Sequence, residues 1–278
     1  MGQKMMRPAQ IMSMAVAMSW GCAASTGTAV RPEFPAPRAG VFQDPVPIIK
    51  STNDDLAPSI VPASGMVVYA AVVERNLDIY KRPLQGGAAV RLTTQSADDT
   101  DPELSPTGRQ ITWTSQVDDV KGDIWIMDVD GSGKRCLTNR DTADRAPTWS
   151  ADGKTIYFTA RARGGAPERI DCFDLESGVR RTVVERGWDP AVATDGQYLF
   201  YVALDERPRP RLYGLRVKDG AVAAVTDGAY TEGIPRVARG AQGTRILFAR
   251  WVDDQTGDGV IDVDDAPSLW ALDFDRTT

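Results

Sequence analysis

Five prolines constrain this chain more than anything else in it. Pro58, Pro102, Pro147, Pro190 and Pro235 recur at intervals of 44, 45, 43 and 45 residues. Eleven residues after four of them stands an aromatic side chain, Tyr69, Trp113, Phe158 or Tyr201; the fifth has Phe248 at thirteen, after a two-residue insertion. Further on, each unit carries a short related segment: Asp78–Tyr80, Asp123–Trp125, Arg169–Asp171, Arg211–Tyr213 and Ser268–Trp270. A chain built this way folds as repeats of one supersecondary unit.

The unit is clearest between Asp101 and Thr138. Asp101–Leu104 is extended, and Ser105-Pro-Thr-Gly108 reads as a turn. Gln110–Ser115 alternates, with Ile111, Trp113 and Ser115 on one side and Thr112 and Thr114 on the other. Gly122–Asp128 alternates again, Ile124 and Ile126 against Trp125 and Met127, and a Gly/Asp turn leads into Lys134–Thr138. Period-2 patterning with β-branched and aromatic residues between Gly/Pro/Asp punctuation predicts strands. Four strands per 40–45 residues, repeated, predict an all-β fold, a β-propeller whose blades bury their faces against one another around an axis. A β-sandwich would need the five near-equal intervals to be accidental.

The repeat places the blades at Ala57–Thr93, Asp101–Thr138, Ala146–Val184, Asp189–Thr226 and Ile234–Phe274. The last unit stops after its third strand, Ser268–Phe274. Val46–Thr52 resembles the fourth strands of the other units, and the expectation is that it completes the last blade and closes the ring. Closure removes an exposed strand edge that would invite aggregation. Five four-stranded blades over residues 46–278 are therefore expected, with a sixth from degenerate sequence as the alternative.

Ahead of the repeats, residues 1–21 read as a signal peptide. Lys4 and Arg7 form a basic start, Ile11–Trp20 is mostly apolar, and the stretch is too short to span a bilayer. Cys22, after the small Gly21, resembles the lipid-modified cysteine of bacterial lipoproteins, with Ser19 and Trp20 departing from the usual pattern. That resemblance implies an outer-membrane lipoprotein, since Ala23 rather than Asp follows. Residues 22–45, rich in Pro, Gly, Ala and Ser, read as a tether.

Charge and residue usage exclude several classes. The formal net charge is −6, and a chain beginning at Cys22 loses two cations and carries −8. No basic patch with interleaved aromatics appears, which argues against nucleic acid and against electrostatic capture by an anionic membrane. The chain has no histidine. That removes Ser-His-Asp and Cys-His catalysis and His-ligated metal. Phosphate-loop, dinucleotide and nucleophile-elbow motifs are absent. Asp98, Asp99, Asp101, Asp118, Asp119, Asp141 and Asp144 fall in inter-strand loops and read as turn and solubility residues. Cys136 and Cys172 lie in adjacent units and read as small buried residues rather than a disulfide.

One local motif stands apart. Asp254–Asp265 (DQTGDGVIDVDD) is an insertion of about ten residues between the second and third strands of the last unit. Its spacing resembles the calcium loop of EF-hands and dockerin modules. The ligands would be Asp254, Thr256, Asp258, the Val260 carbonyl, Asp262 and Asp265, with Gly259 at the sharp turn and Ile261 tucked inward. Four closely spaced carboxylates repel unless a hard cation gathers them. Calcium in a structural role is the expected cofactor; Thr256 for Asp or Asn and Asp265 for Glu are the departures.

The repeats themselves resemble a known family. DPELSPTGRQITWTS, DIWIMDVDGSGKRCLT and APTWSADGKTIYFTA are similar to the propeller repeats of the TolB family, with its theme P-x-W-S-P-D-G, I-x-F-x-S, I-Y-V-M-D and L-T. Pro147, Trp149, Ser150, Asp152 and Gly153 match that theme, as do Ile124, Met127 and Asp128. The similarity runs from about Val46 to Phe274 and is strongest in the second and third units. It implies the fold. TolB proper also carries an N-terminal α/β domain that binds its Tol partners, which the sequence before Val46 does not suggest, so membership of the Tol system does not follow. The functional expectation is a non-enzymatic, lipid-anchored propeller of the bacterial cell envelope that binds a protein or a peptidoglycan or other glycan partner through loops at one mouth. The alternative is a carboxylate-based glycan hydrolase or lyase working in the central channel. Related propellers include lyases that lean on histidine ligands and gating domains of prolyl peptidases.

Overall fold

The structure, a computed structural model, describes residues 55–274 apart from 74, 139–141, 163, 205, 207–208, 241–242 and 253–266. Among the described residues it is all β but for one 3-10 turn, Pro62–Ser64. Five antiparallel sheets follow one another along the chain, each an up-and-down meander. Their first strands are Asp55–Val61, Asp99–Leu104, Thr142–Trp149, Trp188–Val192 and Thr231–Gly240, and each expected proline lies on one of them. The fold is a five-bladed propeller of four-stranded sheets. The described part of the fifth blade has three strands, and the expected closing strand Val46–Thr52 lies outside the described residues.

Local chemistry sets the hairpins. In the second blade the Ser105 hydroxyl accepts the Gln110 N–H (3.1 Å), and the Gly108 N–H reaches the Ser105 carbonyl (2.8 Å). The third blade repeats this with Ser150, Thr155 and Gly153, at 2.9 Å for both bonds. Gly108 has φ +67°, a left-handed conformation that a side chain makes unfavourable.

The core lies between blades rather than within them. Val68, Ala70, Ile79 and Leu92 of blade 1 meet Leu104, Ile111, Trp113 and Met127 of blade 2. Ile124 and Ile126 carry blade 2 onto Trp149, Ile156, Phe158 and Ala160 of blade 3. Tyr157, Ile170 and Cys172 then meet Leu199, Tyr201 and Leu215, and Phe200, Val202 and Leu212 meet Ile246 and Phe248. Each fully buried large side chain here contributes about 1.5–3 kcal/mol. Both faces of an inner blade are covered, so every residue of Ile111–Ser115 is buried although the side chains alternate. The first strand of each later blade packs on the blade before it; among the described residues, blade 5 does not pack on blade 1 in that way.

The repeated aromatics meet across strands. Tyr69 lies opposite Tyr80, Trp113 opposite Trp125 and Tyr201 opposite Tyr213, with ring centroids 5.8, 6.0 and 5.8 Å apart. Blade 5 pairs Phe248 with Trp270. Blade 3 breaks the rule, because Phe158 faces Asp171.

Candidate functional site

The two ends of the wheel differ. At one end the turns are short: two to five residues link first to second strands (five in the middle three blades, 105–109, 150–154 and 193–197), and five or six (84–89, 129–134, 175–179 and 217–221) link third to fourth. At the other end, links between second and third strands run from two residues in blade 1 to seven in blades 2 and 4 (116–122 and 204–210) and sixteen in blade 5 (252–267). Rigid strands carrying loops of unequal length at one mouth are the usual platform for recognition. Val120, 80% exposed, stands on one of these loops and Leu204 on another, while Tyr230 stands on the 225–230 link between blades 4 and 5.

The inner wall at this end has a repeated backbone break. The residue before each proline is left-handed although none is glycine: Ala57 (φ 46°), Asp101 (51°), Ala146 (50°), Asp189 (50°) and Ile234 (53°). Pairing with the second strand shifts register at each of these places. These are β-bulges, which re-aim side chains and recur at functional rims. A threonine of the preceding blade catches two of the freed amides: Ala146 N–H donates to Thr114 Oγ1 (3.2 Å) and Asp189 N–H to Thr159 Oγ1 (2.9 Å).

Carboxylates crowd this end, and cations or hydroxyls from neighbouring strands hold them. Arg145 spans two blades, donating to Asp189 (2.8 Å) and to both oxygens of Glu168 (3.1 Å). Desolvation opposes its charge, but the two acids outweigh it and hold the guanidinium firmly protonated. In blade 3 Arg180 lies between Asp144 (2.7 and 3.0 Å) and Asp171 (2.7 Å), over the Phe158 ring at 4.9 Å. Burial pushes Asp171 up, yet hydrogen bonds from Arg169, Arg180 and Thr182 prevail and its carboxyl lies below the ordinary range. In blade 5 Glu232, fully buried, is held by Arg250 and Thr226, while Arg250 lies 4.4 Å from the Trp270 ring centre and 4.9 Å from that of Tyr230. Asp99 accepts Trp113 Nε1–H at 3.0 Å, and burial, the largest influence, raises its carboxyl.

This corrects part of the sequence reading. Asp99 and Asp144, expected in solvated turns, are fully buried strand residues bound to Trp113 and Arg180. A signal was available. An acid stands six residues after the threonine that ends three units: Thr93 and Asp99, Thr138 and Asp144, Thr226 and Glu232. In all three units that threonine accepts a third-strand N–H, from Ile79, Ile124 or Leu212. Asp118 is exposed, as expected. Cys172 is buried, as expected, whereas Cys136, also expected to be buried, is half-buried. Asp141, the calcium-loop residues Asp254, Thr256, Asp258, Val260, Asp262 and Asp265, and Cys22 lie outside the described residues.

Glu103 has a different setting. It follows Pro102 on the innermost strand, and its Oε1 accepts Thr148 Oγ1–H (3.0 Å) and Trp149 N–H (3.2 Å) from the next blade. Burial raises its carboxyl above the usual range, against the pull of the Trp149 amide, Arg236 and Thr148. A carboxyl raised on folding holds its proton more tightly in the folded chain. Its penalty is therefore absent at low pH and grows as pH rises through the unfolded and then the folded value. Glu103→Gln keeps an acceptor for both donors. It is expected to be more stable than the parent at pH 7, with the advantage gone by about pH 4 in thermal melts.

With the geometry in place, the comparisons with known proteins fall into line. Residues 47–183 match the family model of the TolB beta propeller domain. The structure aligns with that of a putative TolB from Agrobacterium tumefaciens at TM-score 0.61 and 21% identity, covering 74% of each chain. This is a TolB-like propeller repeat protein. The Tol-Pal system protein TolB of Rhizorhabdus wittichii is 38% identical over 71 residues, 24% of this chain and 16% of that one. The chain thus spans well under two thirds of the curated relatives it matches. An oligogalacturonate lyase from Vibrio parahaemolyticus shares the fold at TM-score 0.57 and 15% identity, over 82% of this TolB-like chain and 68% of the lyase. At such identity the likeness concerns the fold alone.

Proposed function

We propose that this TolB-like propeller is a non-enzymatic binding module of the bacterial cell envelope, tethered through Cys22 and recognising an envelope protein or glycan with its variable loops. The contrast between the two ends carries this reading: turns of two to six residues at one, loops of up to sixteen residues at the other. The fate of the buried acids supports it. Asp99, Asp144, Asp171 and Glu232 are engaged in holding strands and blades together, which leaves them no freedom to exchange protons with a substrate. Affinity capture from envelope extracts with crosslinking tests it. The expected result is a specific envelope partner and no turnover on a panel of polysaccharides. Glycan cleavage with nothing retained would favour the carboxylate enzyme instead.

The proposal includes a structural calcium ion in the Asp254–Asp265 loop, held by Asp254, Thr256, Asp258, the Val260 carbonyl, Asp262 and Asp265. Extracellular calcium modules bind at about 0.1–1 mM. Calcium at about 10 mM then stabilises the fold by about 1.5–2.5 kcal/mol, a rise of several degrees in melting temperature that chelator reverses. A melting temperature unmoved by either reagent would remove calcium from the account.

A further inference from the structure

Ser268–Phe274 is the last described strand of blade 5, and its outer edge has no strand paired to it among the described residues. In each of the first four blades that edge carries a fourth strand. Two observations mark the edge as a seat. Leu269 is 51% exposed, whereas its counterparts Ile79, Ile124, Ile170 and Leu212 are fully buried. On the other face, where Trp270, Leu272 and Phe274 pack on blade 4, lies a cleft of about 440 Å³ lined by Tyr198, Val222, Ala224, Leu272 and Phe274.

The repeat fixes what can sit there. In blades 1, 2 and 4 the residue eleven before the next proline lies opposite the third-strand aromatic: Arg91 opposite Tyr80, Cys136 opposite Trp125, Ala224 opposite Tyr213. Blade 3, whose register shifts at Ile170, does not follow this spacing. The next residue, Leu92, Leu137 or Val225, donates its N–H inward to the carbonyl of Ile79, Ile124 or Leu212 at 2.7–2.8 Å. Such inward residues alternate along an antiparallel strand with residues whose N–H points away. Counting eleven back from Pro58 sets Pro47 opposite Trp270, Val46 opposite Ala271 and Ile48 opposite Leu269. In that register Pro45 and Pro47 both stand where no N–H is needed, the placement an edge strand tolerates. A slip of one residue turns both into the ladder and loses two bonds.

One part of the pattern is missing. Nine residues before the same three prolines stands Thr93, Thr138 or Thr226, whose hydroxyl accepts the N–H of Ile79, Ile124 or Leu212. Nine before Pro58 stands Ile49, which has no hydroxyl. We propose that Pro45–Ile48 closes blade 5 in this register, with its prolines over the cleft and Ile48 on Leu269. Without a threonine clamp, this seam opens before the outer strands of blades 1, 2 and 4. Closure is independent of what the loop mouth recognises, so a failed envelope capture leaves it standing.

Amide hydrogen exchange of the full chain, read residue by residue, tests it. Ala271 is protected, yet exchanges about tenfold or more faster than its counterparts Lys81, Ile126 and Gly214. Val46→Pro removes the inward donor and brings Ala271 to the rate of an open amide, while Gln110–Ser115 of blade 2 keeps its protection. Pro47→Ala, at an outward position, leaves Ala271 as it is. Ile49→Thr supplies the clamp and slows exchange at Leu269 and Ala271 about tenfold. An Ala271 amide open in the parent, protection that survives Val46→Pro, or protection lost in Pro47→Ala overturns the register. Exchange no slower in Ile49→Thr than in the parent overturns the missing clamp.

Discussion

Replacing Arg180 with alanine is expected to destabilise the protein by about 3–5 kcal/mol, because it strips buried Asp144 of its ion-pair partner and leaves Asp171 with Arg169 alone. Asp144 is fully buried and Asp171 almost so, and Arg180 itself is only 8% exposed. Blade 3 needs this arginine because Asp171 occupies the place that Tyr80, Trp125 and Tyr213 fill in other blades. Where those blades stack two aromatic rings, blade 3 lays a guanidinium over Phe158 and brackets it with acids. Chemical denaturation at pH 7 reads the loss, and in a heat melt it amounts to about 10 °C or more. The pH dependence gives a second check. Asp171 has a depressed carboxyl in the folded chain, so its contribution is complete above the unfolded value and is lost as pH falls through the folded one. The gap between parent and variant should therefore narrow as pH falls from 7 toward 3. A gap that stays constant would mean the arginine acts by packing alone.

Trp113→Ala is expected to cost as much, about 3–5 kcal/mol, by a different route. Trp113 has no exposed surface and lies in the core between the first and second blades. Its ring tilts against Trp125 with centroids 6.0 Å apart, and its Nε1–H donates to Asp99, itself fully buried. Truncation leaves a cavity and an acid short of a donor in a place where burial already opposes its charge. Trp113→Phe separates the two effects: it keeps most of the packing and loses the hydrogen bond, at about 1–3 kcal/mol. Equal losses in the two variants would place the whole effect on the Asp99 bond.

The repeat made most of the fold legible. The proline period found the innermost strand of every blade, and Gln110–Ser115 and Ser268–Phe274 stand as strands with the bounds read from alternation. First strands begin earlier than their patterns suggest, at Asp99 rather than Asp101 and at Thr142 rather than Ala146. The left-handed residue before each proline interrupts the alternation, so the paired segment ahead of it has no period to display. Fourth strands are shorter than expected, Arg135–Cys136 against Lys134–Thr138, because the terminal threonine spends its hydroxyl on a third-strand amide. The buried acids were least legible. An aspartate in a polar segment reads as solvated unless its arginine is known, and Arg180 lies 36 residues from Asp144.

Site-specific photocrosslinking in envelope extracts tests the central claim most directly, with the probe at position 120 on the loop end or at position 179 on the turn end. Both side chains are well exposed, Val120 at 80% and Val179 at 56%. The account predicts a discrete adduct with an envelope component from position 120 and none from position 179. Adducts from position 179 alone, or the same adducts from both, would contradict it.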